Sequence, residues 1–182
     1  LVGLGLVAAA VTVRQAWPAV LRDGDHVERP VVARAAAIVT VIVLICAVPA
    51  ASGVGISVLV SVGLVSLVVA LAEETLFRGL GLTVGRASGR IDRSIVVSTS
   101  IGFAFVQVAH LMTEGATTFP IVIVLALTGP GLMLLRLSTG SLLVPVVVHA
   151  LVLFGLSAGR FGSDPEMSIA FFVALGVVAV AA

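Results

Sequence analysis

Charge is what this sequence has least of. Aspartate, glutamate, lysine and arginine make up 10% of its 182 residues, where a soluble domain carries about 25%. Lysine and tyrosine are absent, so all ten basic residues are arginine, a bias we assign to genomic base composition rather than to function. A net charge of +1 leaves no basic footprint for nucleic acid. The single cysteine, Cys46, sits in an apolar run, which excludes a disulfide framework and a CxxC metal site and reads as a buried thiol. No signal peptide with a cleavage site is visible. The first residue is Leu1, in mid-apolar segment, and this predicts an N-terminally trimmed chain.

What is present is hydrophobic: 60% of residues, with a mean hydropathy of +1.29. Apolar runs alternate with short polar breaks over residues 1–13, 35–51, 54–85, 94–112, 119–135, 141–158 and 168–182. About 20 helical residues cross the hydrocarbon layer and about 17 suffice. The runs do not alternate apolar and polar residues as the strands of a membrane barrel do. The expected fold is therefore all-α: a polytopic integral membrane bundle of six or seven transmembrane helices around a polar intramembrane cavity. One transmembrane domain, 1–182, is expected, and the residues that carry chemistry fall within 54–154.

Sorting the arginines gives an orientation. With the polar stretch 14–34 inside, Arg14, Arg22, Arg29, Arg34, Arg86, Arg90, Arg93 and Arg136 all fall on the inner side, and Arg160 alone falls outside. This positive-inside pattern predicts a multi-pass protein of a bacterial plasma membrane, with the Arg-rich loops 14–34 and 86–93 cytoplasmic. Trp17-Pro18 reads as an interfacial anchor, and Gly129-Pro130-Gly131 as a break or kink.

Few ionisable residues lie within the spans: Glu73, Glu74, Arg78, His110 and His149, on three different runs. A carboxylate at bilayer depth costs about 2.5–3.5 kcal/mol on insertion scales, so such groups face the bundle interior and pair with one another. At 1.5 Å per residue, Glu73 lies roughly 20 Å in, His110 roughly 24 Å and His149 roughly 12 Å, which permits one shared cavity if helices tilt. Glu74 and Arg78, at i,i+4, predict an internal ion pair that fixes Glu74. Glu73 points about 100° away and is the freer carboxylate, suited to general base work. Gln107 lies one turn before His110; it could orient that ring, but an interhelical hydrogen bond is the plainer reading.

The segment Glu73-Glu74-Thr75-Leu76-Phe77-Arg78-Gly79 resembles the EExxxR signature, in its extended form EExxFRG, of the CPBP family. That family comprises the CAAX prenyl proteases of type II and bacteriocin-processing intramembrane proteases. Its second motif is Phe-x3-His; here His110 fits the histidine, with Val106 at the phenylalanine position and Phe105 one residue early. Its third is His-x3-Asn; Ser141-Leu142-Leu143-Val144-Pro145 leading to His149-Ala150 is similar, with Leu153 where the asparagine is expected. The resemblance covers about residues 54–154. It implies an intramembrane glutamic-type endopeptidase acting near the C-terminus of a prenylated protein or on a peptide precursor. Carried over, Glu73 activates water with His110, His149 is an oxyanion donor, and Glu74 and Arg78 shape the site.

The expected partners are membrane lipid and a peptide or protein substrate, prenylated in the CAAX case, and no nucleic acid. No metal or other cofactor is expected. The alternative is zinc on Glu73, His110 and His149, although no HExxH spacing supports it. Two other function classes remain open. Leu153 favours a weak or inactive member acting as membrane scaffold, chaperone or bacteriocin self-immunity protein. A proton-relaying transporter would use the carboxylates, but no internal repeat is seen.

Overall fold

A computed structural model describes residues 17–24, 53–114 and 119–161, with side chains for all of these except 110–114, 119–127 and 159–161. The apolar runs 1–13, 35–51 and 168–182, with Cys46 and His26, lie outside the described residues.

Every element among the described residues is helical: α1 (Trp17–Leu21), α2 (Ile56–Glu74), a π-helical turn (Thr75–Leu80), α3 (Gly81–Ala87), α4 (Asp92–Glu114), α5 (Phe119–Thr139) and α6 (Leu143–Phe161). No strand occurs among them, only an isolated bridge between Arg22 and Ser141. Runs 54–85, 94–112, 119–135 and 141–158 thus each became helix. The glutamate-bearing run continues without a break through α2, the π turn and α3. Pro130 stands inside α5 and does not end it.

Ile56–Ala87 is long and apolar enough to cross a membrane. Only 11% of its most apolar eighteen-residue stretch is buried, whereas the core helix of a soluble protein is mostly covered. Leu64, Val65 and Leu67 on α2, and Ile101 and Phe105 on α4, stand exposed. Leu143–Ala158 is a shorter apolar helix.

Glycines end two helices. Gly89 (φ 73°) follows α3 and Gly140 (φ 65°) follows α5, each in the left-handed region that a residue with Cβ avoids. Helix α2 packs along α6, and α4 along α5, while α1 lies against the π turn. Two apolar clusters set these crossings. Val20, Leu142 and Val146, with Trp17 and Leu80 at their edge, join α1 to α6 and the π turn. Leu82, Ile95, Met133 and Leu137 join α3, α4 and α5. Trp17, read from sequence as an interfacial anchor, packs against the first cluster.

At one end of the bundle Arg86 grips Asp92 through two parallel bonds of 2.9 Å and reaches Asp23 Oδ1 at 2.6 Å. The fork-to-carboxylate geometry ties the start of α4 and the segment after α1 to α3.

Candidate active site

The site is built on the π turn. Its i→i+5 bonding widens one helical turn, a local feature found frequently at functional positions. Gly79, the last residue of the acidic motif, lies in that turn. A Cβ there would stand 2.6 Å from Val20 Cγ1, so glycine is what lets α1 close over the turn.

Glu74 and Arg78 pair as their spacing predicts, Arg78 Nη1 donating to Glu74 Oε1 at 2.8 Å. Both are fully buried. Arg78 Nη2 donates to the Gly129 carbonyl on α5 at 2.9 Å, and the guanidinium lies 4.3 Å from the centroid of the Phe103 ring. That ring packs edge-on against Phe77 and against His149. Arg78 therefore joins the π turn to α4 and α5 by an ion pair, a backbone bond and a cation–π contact.

Glu74 carries a second load. His149 Nδ1 lies 2.8 Å from the same Oε1. With Glu74 ionised, the carboxylate can only accept, so Nδ1 holds the hydrogen. The other ring nitrogen, Nε2, faces Glu73 Oε2 at 3.8 Å, beyond hydrogen-bond reach, and has no bonded partner. His149 thus stands between both glutamates, from a helix 75 residues away in sequence.

Glu73 differs from its neighbour as expected. Its side chain keeps 12% exposure, against 0% for Glu74. Across the bundle, Gln107 Nε2 on α4 donates to Glu73 Oε2 at 3.2 Å. The interhelical bond read for Gln107 is present, and its partner is Glu73, the more exposed carboxylate.

Four of the residues singled out from sequence, Glu73, Glu74, Arg78 and His149, therefore meet. His110 lies on α4, and its side chain is outside those described. Leu153 is on α6, one turn beyond His149 and half-buried. No asparagine occurs anywhere in the sequence. Sequence reasoning missed Phe103 and Gly129, the ring and the carbonyl that hold Arg78. The i,i+4 pairing of Phe103 with Gln107 was the available signal.

Among the described residues, no three His, Cys, Asp or Glu side chains are grouped to hold a metal ion. The zinc set of Glu73, His110 and His149 includes His110, whose side chain lies outside those described.

A family model described as type II CAAX prenyl endopeptidase, Rce1-like, matches residues 55–155. No curated protein and no solved structure matches the chain.

Proposed function

The chain belongs to the type II CAAX prenyl endopeptidase Rce1-like family, and from that membership we propose that it is an intramembrane glutamic-type endopeptidase with Glu73 as its base. The observation that carries the reading is the pair of unequal carboxylates. Glu74 is sealed against Arg78 and His149, while Glu73 keeps 12% of its side chain exposed and faces an imidazole nitrogen that makes no hydrogen bond.

The chemistry follows from that arrangement. Glu73 takes a proton from water, and the oxygen bonds to the peptide carbonyl carbon. The proton passes to the leaving nitrogen as the C–N bond breaks. His149 can donate to the developing oxyanion from Nε2 only as imidazolium, because Nδ1–H is already given to Glu74. Its positive charge and that of Arg78 would then balance the two glutamates. Glu74 and Arg78 hold the ring in place. His110, three residues beyond Gln107, is a further candidate partner of Glu73.

The setting proposed is a bacterial plasma membrane, crossed six or seven times, with loops 14–34 and 86–93 on the cytoplasmic side, where the arginines gather. The substrate class is a peptide or protein with a prenylated C-terminus, or a peptide precursor.

A direct test is wild-type protein in liposomes given a farnesylated CAAX-type peptide. We expect slow cleavage, read by mass spectrometry, that survives a zinc chelator. Loss of cleavage on chelation, restored by zinc, would favour a metal set of Glu73, His110 and His149. A second reading, a noncatalytic binder, is favoured by Leu153: with no asparagine to replace it, one oxyanion donor is missing. Binding of that peptide without any product would support it.

Losing a comparable donor costs a serine protease about 10²–10³ in turnover. Leu153→Asn is accordingly expected to raise kcat by at least about tenfold. An unchanged kcat would remove Leu153 from the oxyanion account.

A further inference from the structure

We propose that an anionic membrane phospholipid binds in the groove between α3 and α4, with one acyl chain along the groove and its phosphate on Arg90. The inference rests on the membrane setting and uses no step of the cleavage chemistry.

The groove encloses about 480 Å³, within the roughly 300–1,000 Å³ of ligand clefts. Its walls include Leu76 and Phe77 of the π turn, Val84 of α3 and Ile95 of α4. Along this seam the two helices meet closely. A Cβ on Gly81 would stand 2.8 Å from Thr99 Cγ2, and one on Gly85 would stand 2.7 Å from Ile95 Cγ1. Three hydroxyls also line the groove, and each spends its hydrogen on a carbonyl three or four residues earlier. Ser88 donates to Val84 at 2.8 Å, Ser98 to Ile95 at 3.2 Å and Thr99 to Ile95 at 2.7 Å. A chain lying there meets apolar walls and no free hydroxyl donor.

One end of the groove carries charge. Arg90 lines it and is exposed. Its backbone N–H donates to the Gly85 carbonyl at 3.1 Å, which fixes this loop against α3. Arg86 is taken up by Asp23 and Asp92, whereas among the described residues no carboxylate pairs with Arg90. Depth points the same way. Ile56–Ala87 has 32 residues, about 48 Å at 1.5 Å per residue, against about 30 Å of hydrocarbon and about 40–45 Å with the headgroups. Arg90, just beyond that helix, stands at headgroup level, and the groove leads from it into the hydrocarbon. An apolar channel ending in a lone guanidinium at that depth matches an amphiphile with an anionic head. A guanidinium fork pairs with phosphate oxygens two at a time. The bound chain also reaches the active-site frame, because Phe77 packs edge-on against Phe103, the ring beneath Arg78.

The test uses the full chain in phosphatidylcholine liposomes. It compares two photoprobes, a phosphatidylglycerol and a phosphatidylcholine, each with a diazirine in one acyl chain. Mass spectrometry locates the adducts. The exposed α2 residues Leu64, Leu67 and Leu71 serve as the bulk-lipid reference, where both probes should label alike. Over residues 76–84 phosphatidylglycerol is expected to label about tenfold more than phosphatidylcholine, the worth of one charge-assisted contact. Arg90→Gln should bring that ratio to about one. Val84→Trp, at a half-exposed position, fills the groove and should remove labelling there by both probes while the α2 reference is unchanged. Wild-type cleavage has no bearing on any of these readings.

Equal labelling of residues 76–84 by the two probes in wild type would reduce the groove to ordinary lipid contact and overturn the proposal. A preference that survives Arg90→Gln would do the same, since the guanidinium would not be holding the headgroup. So would labelling of the groove by a farnesylated peptide with a diazirine on its isoprenoid where phosphatidylglycerol gives none, because the groove would then belong to substrate.

Discussion

Glu73→Ala is expected to abolish cleavage while the protein keeps its stability, and Arg78→Ala is expected to lose much of the stability of the fold. The two residues are five positions apart in one motif, and burial separates their roles. Glu73 stands at the edge of the site with 12% of its side chain exposed, and Gln107 holds it from α4. Removing it empties a partly exposed position rather than a sealed one. The cost falls on chemistry, at least about 10²–10⁴ in rate for a general base.

Arg78 is the opposite case. Its removal leaves Glu74 at 0% exposure without its guanidinium partner, the Gly129 carbonyl without its side-chain donor, and a void over Phe103. Breaking a buried pair from one side costs about 3–5 kcal/mol, whereas replacing both partners by apolar groups of similar volume is often near neutral. The double substitution Glu74→Leu, Arg78→Met should therefore melt higher than Arg78→Ala alone, although neither cleaves. Thermal unfolding in detergent, read beside the cleavage assay, checks each part. A wild-type Tm for Arg78→Ala would mean that Glu74 is not held as a buried anion.

The sequence carried a large part of this site because charges are conspicuous in an apolar chain. Glu73, Glu74, Arg78 and His149 could be singled out one by one, and the i,i+4 spacing alone predicted the Glu74–Arg78 pair. The helices over 54–85, 94–112, 119–135 and 141–158 were legible from the apolar runs. What the chain did not display was the second bond of Glu74 to His149, because a contact across 75 residues depends on how two helices cross. The π turn left no pattern either. It is bound up with the close seating of Val20 on Gly79, a tertiary contact rather than a local preference. Gln107 was read as an interhelical donor, but nothing in the spacing identified which carboxylate it would meet.

Arg136 shows the same limit more sharply, and it carries the second large effect. In the sequence it counts as one more inner-side charge at the end of a span. In the structure it is fully buried and bonds backbone rather than a carboxylate. Its Nη1 donates to the carbonyls of Leu21 (3.0 Å) and Gly140 (2.7 Å), and its Nη2 to those of Val20 (2.9 Å) and Ala19 (3.3 Å). Carbonyls at a helix C-terminus have no partner within the helix and carry the negative end of its dipole. One guanidinium thus caps α1 and closes the turn after α5. Two backbone bonds reinforce the joint, Asp23 N–H to Gly140 and Leu142 N–H to Leu21.

Arg136→Met keeps the length of the side chain and removes every donor. Each stranded acceptor costs about 1–3 kcal/mol, and the relief of a buried cation offsets part of the sum, so a net loss of about 3 kcal/mol is expected. Arg136→Lys should recover less than half of it, because an ammonium cannot reproduce the planar fork that reaches both chain segments. The damage should also travel. Val20 sits on Gly79 in the π turn, so release of α1 uncovers the turn that carries Arg78, and cleavage should fall with stability. Hydrogen exchange separates this account from general loosening: protection of the Asp23 and Leu142 amides should collapse before that of the α4 and α5 amides. Equal loss across all of them, or none at Asp23 and Leu142, would show that Arg136 does not hold α1 to the bundle.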